Sequence, residues 1–152
     1  MTVRKRPAED ALPDHVARWL EAASKRLYAD LQAQGMLDFP ELRGSHRRIV
    51  QMIPPQGMRI TDLARIAGMT KQALGEFIDW LEQSGFVHSG RDPADGRVRL
   101  VMRTDRGDAA ADAAHRAIAA VEREWRKEVG AGAFDTMKQA LRQIGRDSFR
   151  DY

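Results

Sequence analysis

The stretch from Ile60 to Arg103, ITDLARIAGMTKQALGEFIDWLEQSGFVHSGRDPADGRVRLVMR, constrains the fold more than any other part of the chain. It opens on a short helical pattern. Thr61 is the expected N-cap, with Leu63, Ala64 and Ala67 on the apolar face. Gly68 ends that helix. Thr70 caps a second one, in which Leu74, Phe77, Ile78 and Leu81 recur at helical spacing before Gly85. Two short helices joined by a Gly-containing turn predict a helix-turn-helix. Phe86-Val87-His88 is a short β-prone run, Arg91 to Arg97 is a charged turn with Pro and Gly, and Val98 to Met102 is a second β-prone run. Strand, polar turn and strand make a hairpin. A hairpin directly after the second helix is a wing.

These residues carry a resemblance. LARIAGMTKQALGEFIDWLEQSGFV, the turn DPADGR, the apolar strand after it, then Thr104 and Gly107, resemble the MarR family of winged helix-turn-helix transcriptional regulators. The likeness is strong over about 44–107; over the flanking helices only helix placement matches. Asp95-x-Arg97 at the turn is its most specific piece. The family usually has Arg where Ser89 stands, often has Arg where Glu76 stands, and has Leu-Thr where Arg103-Thr104 stands. The first two departures bear on DNA affinity and sequence preference rather than on the fold.

At 152 residues the chain fits one domain, expected over 1–152. No run of about 18 apolar residues predicts a membrane span. MTVRKRPAEDALP lacks the apolar centre of a secretory signal, so the cytoplasm is the expected location. The absence of cysteine removes disulfides, thiolate metal sites and thiol redox chemistry, including the cysteine-oxidation sensing found in the resembling family. Net charge is +3, and its placement matters more than its size. Residues 43–106 hold eleven Lys and Arg against seven Asp and Glu, whereas the segments on either side are close to balanced. A basic excess on the winged segment is the footprint of phosphate contacts.

Long helical stripes flank the winged segment. Leu12, Val16, Trp19, Leu20, Ala23, Leu27 and Leu31 predict a helix over about 11–34. Glu41 to Ile53 read as a second helix, ended by Pro54-Pro55, and Met58 to Ile60 as a short third strand beside the hairpin. Thr104 is expected to cap a long Ala-rich helix to about Val129, continued by Ile118, Val121 and Trp125. Gly130 and Gly132 interrupt it, and Phe134, Met137, Leu141 and Ile144 mark a final helix. The expected architecture is mainly α with a small β-hairpin (α+β), a winged helix-turn-helix between helices at about 11–34 and 108–150. A single winged domain cannot cover both terminal stripes, so a symmetric homodimer is expected, with Leu12, Val16, Trp125, Leu141 and Ile144 in its seam. The resemblance implies the same.

The expected partner is double-stranded DNA. The first turn of a recognition helix approaches base edges in the major groove, which selects Thr70, Lys71, Gln72 and Ala73. Gln72 can pair with adenine, Lys71 with guanine or a phosphate, and Ala73 can lie on a thymine methyl. Arg91, Arg97 and Arg99 arm the wing, whose tip suits a narrow minor groove. The resemblance implies that Asp95 orients the Arg97 guanidinium. It also implies a crevice for a small anionic or aromatic effector, in which Trp19, His46 and Arg47 are candidates; a solvated helix face is the plainer reading of the latter two. Arg4-Lys5-Arg6 form a basic arm that can touch a DNA backbone, although such an arm is more often simply solvated. Asp108, Asp112 and His115 share a helix face at ligand spacing, but nothing completes a metal shell, and neither metal nor cofactor is expected. No phosphate-cradling Gly loop or nucleophile-and-base motif supports an enzyme. The competing reading is a winged-helix module that docks protein rather than DNA.

Overall fold

The computed structural model describes residues 14–35 and 38–146. Leu12 and the Arg4-Lys5-Arg6 arm lie outside them. In chain order the elements are α1 (Val16–Ala33), α2 (Gly44–Met52), β1 (Met58–Arg59), α3 (Ile60–Ala67), α4 (Lys71–Gln83), β2 (Val87–Arg91), β3 (Arg99–Arg103), α5 (Asp105–Val129) and α6 (Ala131–Gly145). The sheet is antiparallel in the order β1-β3-β2, with Met58 opposite Val101 and Ser89 opposite Val101 on its other side. This is the predicted helix-turn-helix with its wing and third strand.

Two apolar clusters hold the chain together. The larger lies under the winged segment, where Ile53, Leu63, Leu74, Ile78, Leu81, Phe86 and Val101 are fully buried. The smaller joins α1 to α5 through Leu31, Ala117 and Val121, with Trp125 packed on its edge. Fully burying an aliphatic or aromatic side chain contributes about 1.5–3 kcal/mol. The winged segment is therefore the stable body, and the terminal helices are held to it by much less.

Several helix ends differ from expectation. α1 begins at Val16, where His15 Nδ1 accepts from the Arg18 N–H at 3.2 Å. α2 begins at Gly44, because Phe39–Leu42 form a turn that buries Leu42. Arg47 pins that turn, donating to the carbonyls of Phe39 (3.2 Å) and Leu42 (2.8 Å). Thr61 does not cap α3. The chain passes from β1 straight into the helix, Arg59 takes the cap position without a side-chain bond, and Ile60 is buried. Gly68 closes α3 at φ +66°, a left-handed conformation that side chains other than Gly resist. Gly132 lies inside α6; Gly130 alone forms the break.

Candidate nucleic-acid interface

α4 starts on Thr70, whose Oγ1 accepts from the Ala73 N–H at 3.1 Å. One orphan donor of the helix start is thereby satisfied and the first turn is fixed. Leu74, Ile78 and Leu81 bury one side of α4, which turns Lys71, Gln72 and Glu76 out to solvent and leaves Ala73 half-buried. Gly75 lines the outer side too. A Cβ placed there meets nothing within 4 Å, so intrachain packing does not demand glycine.

The wing is built by its own backbone. Asp92 accepts from the Ala94 N–H at 2.8 Å, and its N–H donates to the Val98 carbonyl at 2.9 Å. Asp95 accepts from the Arg97 backbone N–H at 3.0 Å. That oxygen shapes the turn, and among the described residues no bond joins the Asp95 carboxylate to the Arg97 guanidinium, the contact expected for the pair. The reason is distance along the chain: a carboxylate two residues before an N–H closes a local turn more readily than it reaches a long side chain.

Between the start of α3, the first turns of α4 and the wing lies an open hollow of about 700 Å3. Arg59, Lys71, Arg97 and Arg99 bring four cations to its walls, with Gln72 and Gly75 between them. They are not equivalent. Arg59 Nε pairs with Asp92 at 2.7 Å. The Asp92 carboxyl is held below its ordinary value, first by the Ala94 N–H, against the opposing effect of burial, with Arg59 adding to the lowering. Arg99 pairs with Glu82 at 2.9 Å and Asp79 at 3.2 Å, and its Nε donates to Ser89 Oγ at 2.8 Å. Arg99, expected to arm the wing, thus has its Nε and Nη2 turned to its own chain. Lys71, Arg91 and Arg97 have no ion pair among the described residues. The composition of the sequence shows the cations; only the fold shows which are neutralised. The bracing groups Arg59, Asp79, Glu82, Ser89 and Asp92 are not site candidates in the sequence alone. The spacing of Asp79 and Glu82, about one helical turn, is the available signal.

The effector candidates are not gathered at one site. Arg47 is buried, 5 % exposed, and its guanidinium serves the Phe39–Leu42 turn; burial lowers its pKa. It is neither a solvated group nor a free anion receptor. His46 packs its ring on Phe77 (4.7 Å) and Trp80 (4.2 Å) of α4. Its Nδ1 is buried without a hydrogen-bond partner, and burial, with Arg43 second, pushes its pKa down. Trp19 donates to Asp14 at 2.5 Å and borders a separate apolar hollow of about 410 Å3 between α1, α5 and α6, which neither His46 nor Arg47 lines.

The seam candidates divide. Val16, Leu141 and Ile144 are exposed, as are Trp19, Leu20, Val129 and Met137. Trp125 is anchored within its own chain, donating to Asp30 at 2.7 Å with the Arg26 guanidinium over its ring. Asp108 accepts from Arg103 Nε at 2.7 Å. Among the described residues no helix is long and apolar enough to cross a membrane.

Residues 55–98 match the family model described as MarR family. No curated protein matches the sequence. Among solved structures, CouR from Rhodococcus jostii RHA1 bound to p-coumaroyl-CoA is 20% identical, with a TM-score of 0.69 over 86% of this chain and 92% of that one. The transcriptional repressor CouR bound to a 23-mer DNA duplex is 22% identical, with the same TM-score and coverage. The reduced form of MarR from E. coli is 18% identical, with a TM-score of 0.67 over 88% of this chain and 98% of that one. At these identities the likeness is one of fold. Residues 55–98 thus match the MarR family model, and the chain has the winged-helix fold of the solved MarR and CouR structures.

Proposed function

We propose that the chain is a sequence-specific DNA-binding regulator that acts as a homodimer, with no catalytic role, in the cytoplasm. The observation that carries this reading is the pairing, across one open hollow, of the α4 N-terminus with an uncompensated wing arginine. Lys71 and Gln72 present a charge and a bidentate amide on the helix face that suits a major groove. Arg97 stands at the wing, where the adjoining minor groove would run. Arg91 adds a third unpaired cation at the end of β2, next to the turn.

The dimer is supported by the unmatched apolar side chains of α1, α6 and the end of α5, which the small α1–α5 cluster leaves uncovered. Two recognition helices related by a twofold axis would read a near-palindrome with half-sites about one turn, roughly 34 Å, apart. Blocking a promoter from such a site is repression, the role of the structurally similar CouR. Release by a small anionic or aromatic effector fits the same scheme, through preference for one dimer spacing over another.

Arg97→Ala tests the reading. Loss of a desolvated minor-groove contact should weaken binding to a selected operator by about 1–3 kcal/mol. Unchanged affinity in an anisotropy titration removes the wing from the mechanism. One observation favours the competing docking module: two of the hollow's four cations are already paired, and Glu76 is exposed on α4. Salt separates the two readings. A DNA reader using Lys71, Arg91 and Arg97 from both protomers should show a log–log salt slope of about −5, from about 0.9 counterion released per phosphate neutralised.

A further inference from the structure

Arg99 has three partners from two other elements. Its Nη2 meets Glu82 (2.9 Å) and Asp79 (3.2 Å), both in the C-terminal half of α4, and its Nε meets Ser89 in β2. Arg99 and Glu82 are each about one-third exposed, at 34 % and 30 %, so water screens this pair less than an ordinary surface pair. A second clamp stands on the other side of the hairpin. Arg59, at the start of α3, holds Asp92, whose side chain is only 11 % exposed and which also caps the turn at Ala94. The wing is thus tied, where its turn leaves the strands, to α4 and to the β1 residue that leads into α3.

The placement has a mechanical consequence. From Arg99 to Asp95 the strand and turn extend for four residues, at most about 13 Å at about 3.3 Å each. Rocking the turn about the Arg91–Arg99 pair by about 10° would carry the tip roughly 2 Å, further than a hydrogen bond tolerates. We infer that Arg99 is a positioning residue: it locks the wing against α4 through Asp79, Glu82 and Ser89, and so sets where Arg97 meets DNA, without touching DNA itself. The inference rests on the DNA-binding reading above. Direct phosphate contact by Arg99 is disfavoured by the same geometry. Turning its guanidinium to a phosphate would leave two carboxylates unpaired beside a polyanion.

The deciding variant is Asp79→Asn with Glu82→Gln, which keeps side-chain shape and removes the charge that makes the anchors strong. Simple electrostatics predicts tighter DNA binding, because two negative charges leave the neighbourhood. The lock predicts the opposite sign, a loss of about 2- to 30-fold, the range found when residues that touch neither partner alter a coupled site. Arg99→Gln should weaken binding comparably with an unchanged salt slope; a direct phosphate contact would instead reduce the slope by about 2 per dimer. Melting curves first establish that both variants fold. Tighter or unchanged binding by the double variant, or a reduced slope for Arg99→Gln, overturns the inference. If the parent protein binds no DNA, the reading under Proposed function fails instead. The lock is then judged by amide exchange over residues 89–100, which needs no DNA. Faster exchange in both variants supports it, and unchanged exchange overturns it.

Discussion

Replacing Gly107 with alanine should destabilise the protein sharply, although alanine is the better helix former. A Cβ at Gly107 would lie 2.0 Å from the Phe86 carbonyl oxygen, 3.1 Å from its carbon and 3.2 Å from Arg103 Cβ. An ordinary carbon–oxygen contact needs more than about 3 Å, so backbone must move by about 1 Å. Neither side gives easily. Phe86 is fully buried, and its carbonyl accepts from the Thr104 N–H at 3.1 Å. Thr104 Oγ1 donates to the Gly85 carbonyl at 2.6 Å and accepts from the Gly107 N–H at 3.1 Å. Separating α5 from Phe86 strains that whole junction. Overpacking costs about 1–3 kcal/mol, the weakened cap about 0.5–2 and a lost backbone bond about 1. The helix-propensity gain of about 1 kcal/mol offsets part of this. The net is about 1.5–5 kcal/mol, or a Tm lower by roughly 3–20 °C at about 2–4 °C per kcal/mol. Calorimetry measures it directly. A Tm equal to or above that of the parent would refute the packing argument at the wing-to-α5 junction.

The same substitution at Gly75, where a methyl meets open space, should raise stability by up to about 1 kcal/mol in the same assay, and should weaken operator binding if α4 lies close against the groove. His46 predicts a pH effect. Its folded pKa lies below the ordinary 6.5, so its contribution to stability is complete above that value and declines as pH falls towards the depressed one. His46→Phe should therefore flatten the dependence of Tm on pH just below 6.5; an unchanged profile would show that the imidazole titrates freely. Leu141→Asp with Ile144→Asp should shift the protein towards monomer in sedimentation while leaving its helical signal intact, because both side chains are exposed within the chain. A dimer that survives both changes would place the seam elsewhere.

The winged segment is legible in the sequence because its information is local. Leu74, Ile78 and Leu81 repeat with the helix, Thr70 caps α4 and Thr104 caps α5, and the Pro- and Gly-containing turn marks the hairpin. The features that sequence reasoning misses depend on distance in space. Arg99 looks like one more wing cation until the fold brings it to Glu82 and Asp79. Arg47 looks like an exposed helix arginine until the Phe39–Leu42 turn folds over it. Asp95 differs for the opposite reason: the nearby Arg97 N–H takes one oxygen of the carboxylate that the resemblance assigned to the side chain. Thr61 as a cap fails because β1 delivers the chain into α3 two residues earlier. Trp125 fits an apolar stripe, but the Asp30 carboxylate and Arg26 that fix it come from α1, almost a hundred residues away.

Dimeric, sequence-specific DNA reading is tested most directly by selecting bound fragments from a randomised pool of duplex DNA, at two salt concentrations. A reader built as described enriches a near-palindrome, with half-sites about one helical turn apart and affinity falling steeply as salt rises. Failure to bind DNA at either salt, with the protein folded and free of ligand, would contradict that reading and leave the hollow between α4 and the wing as a surface for another protein.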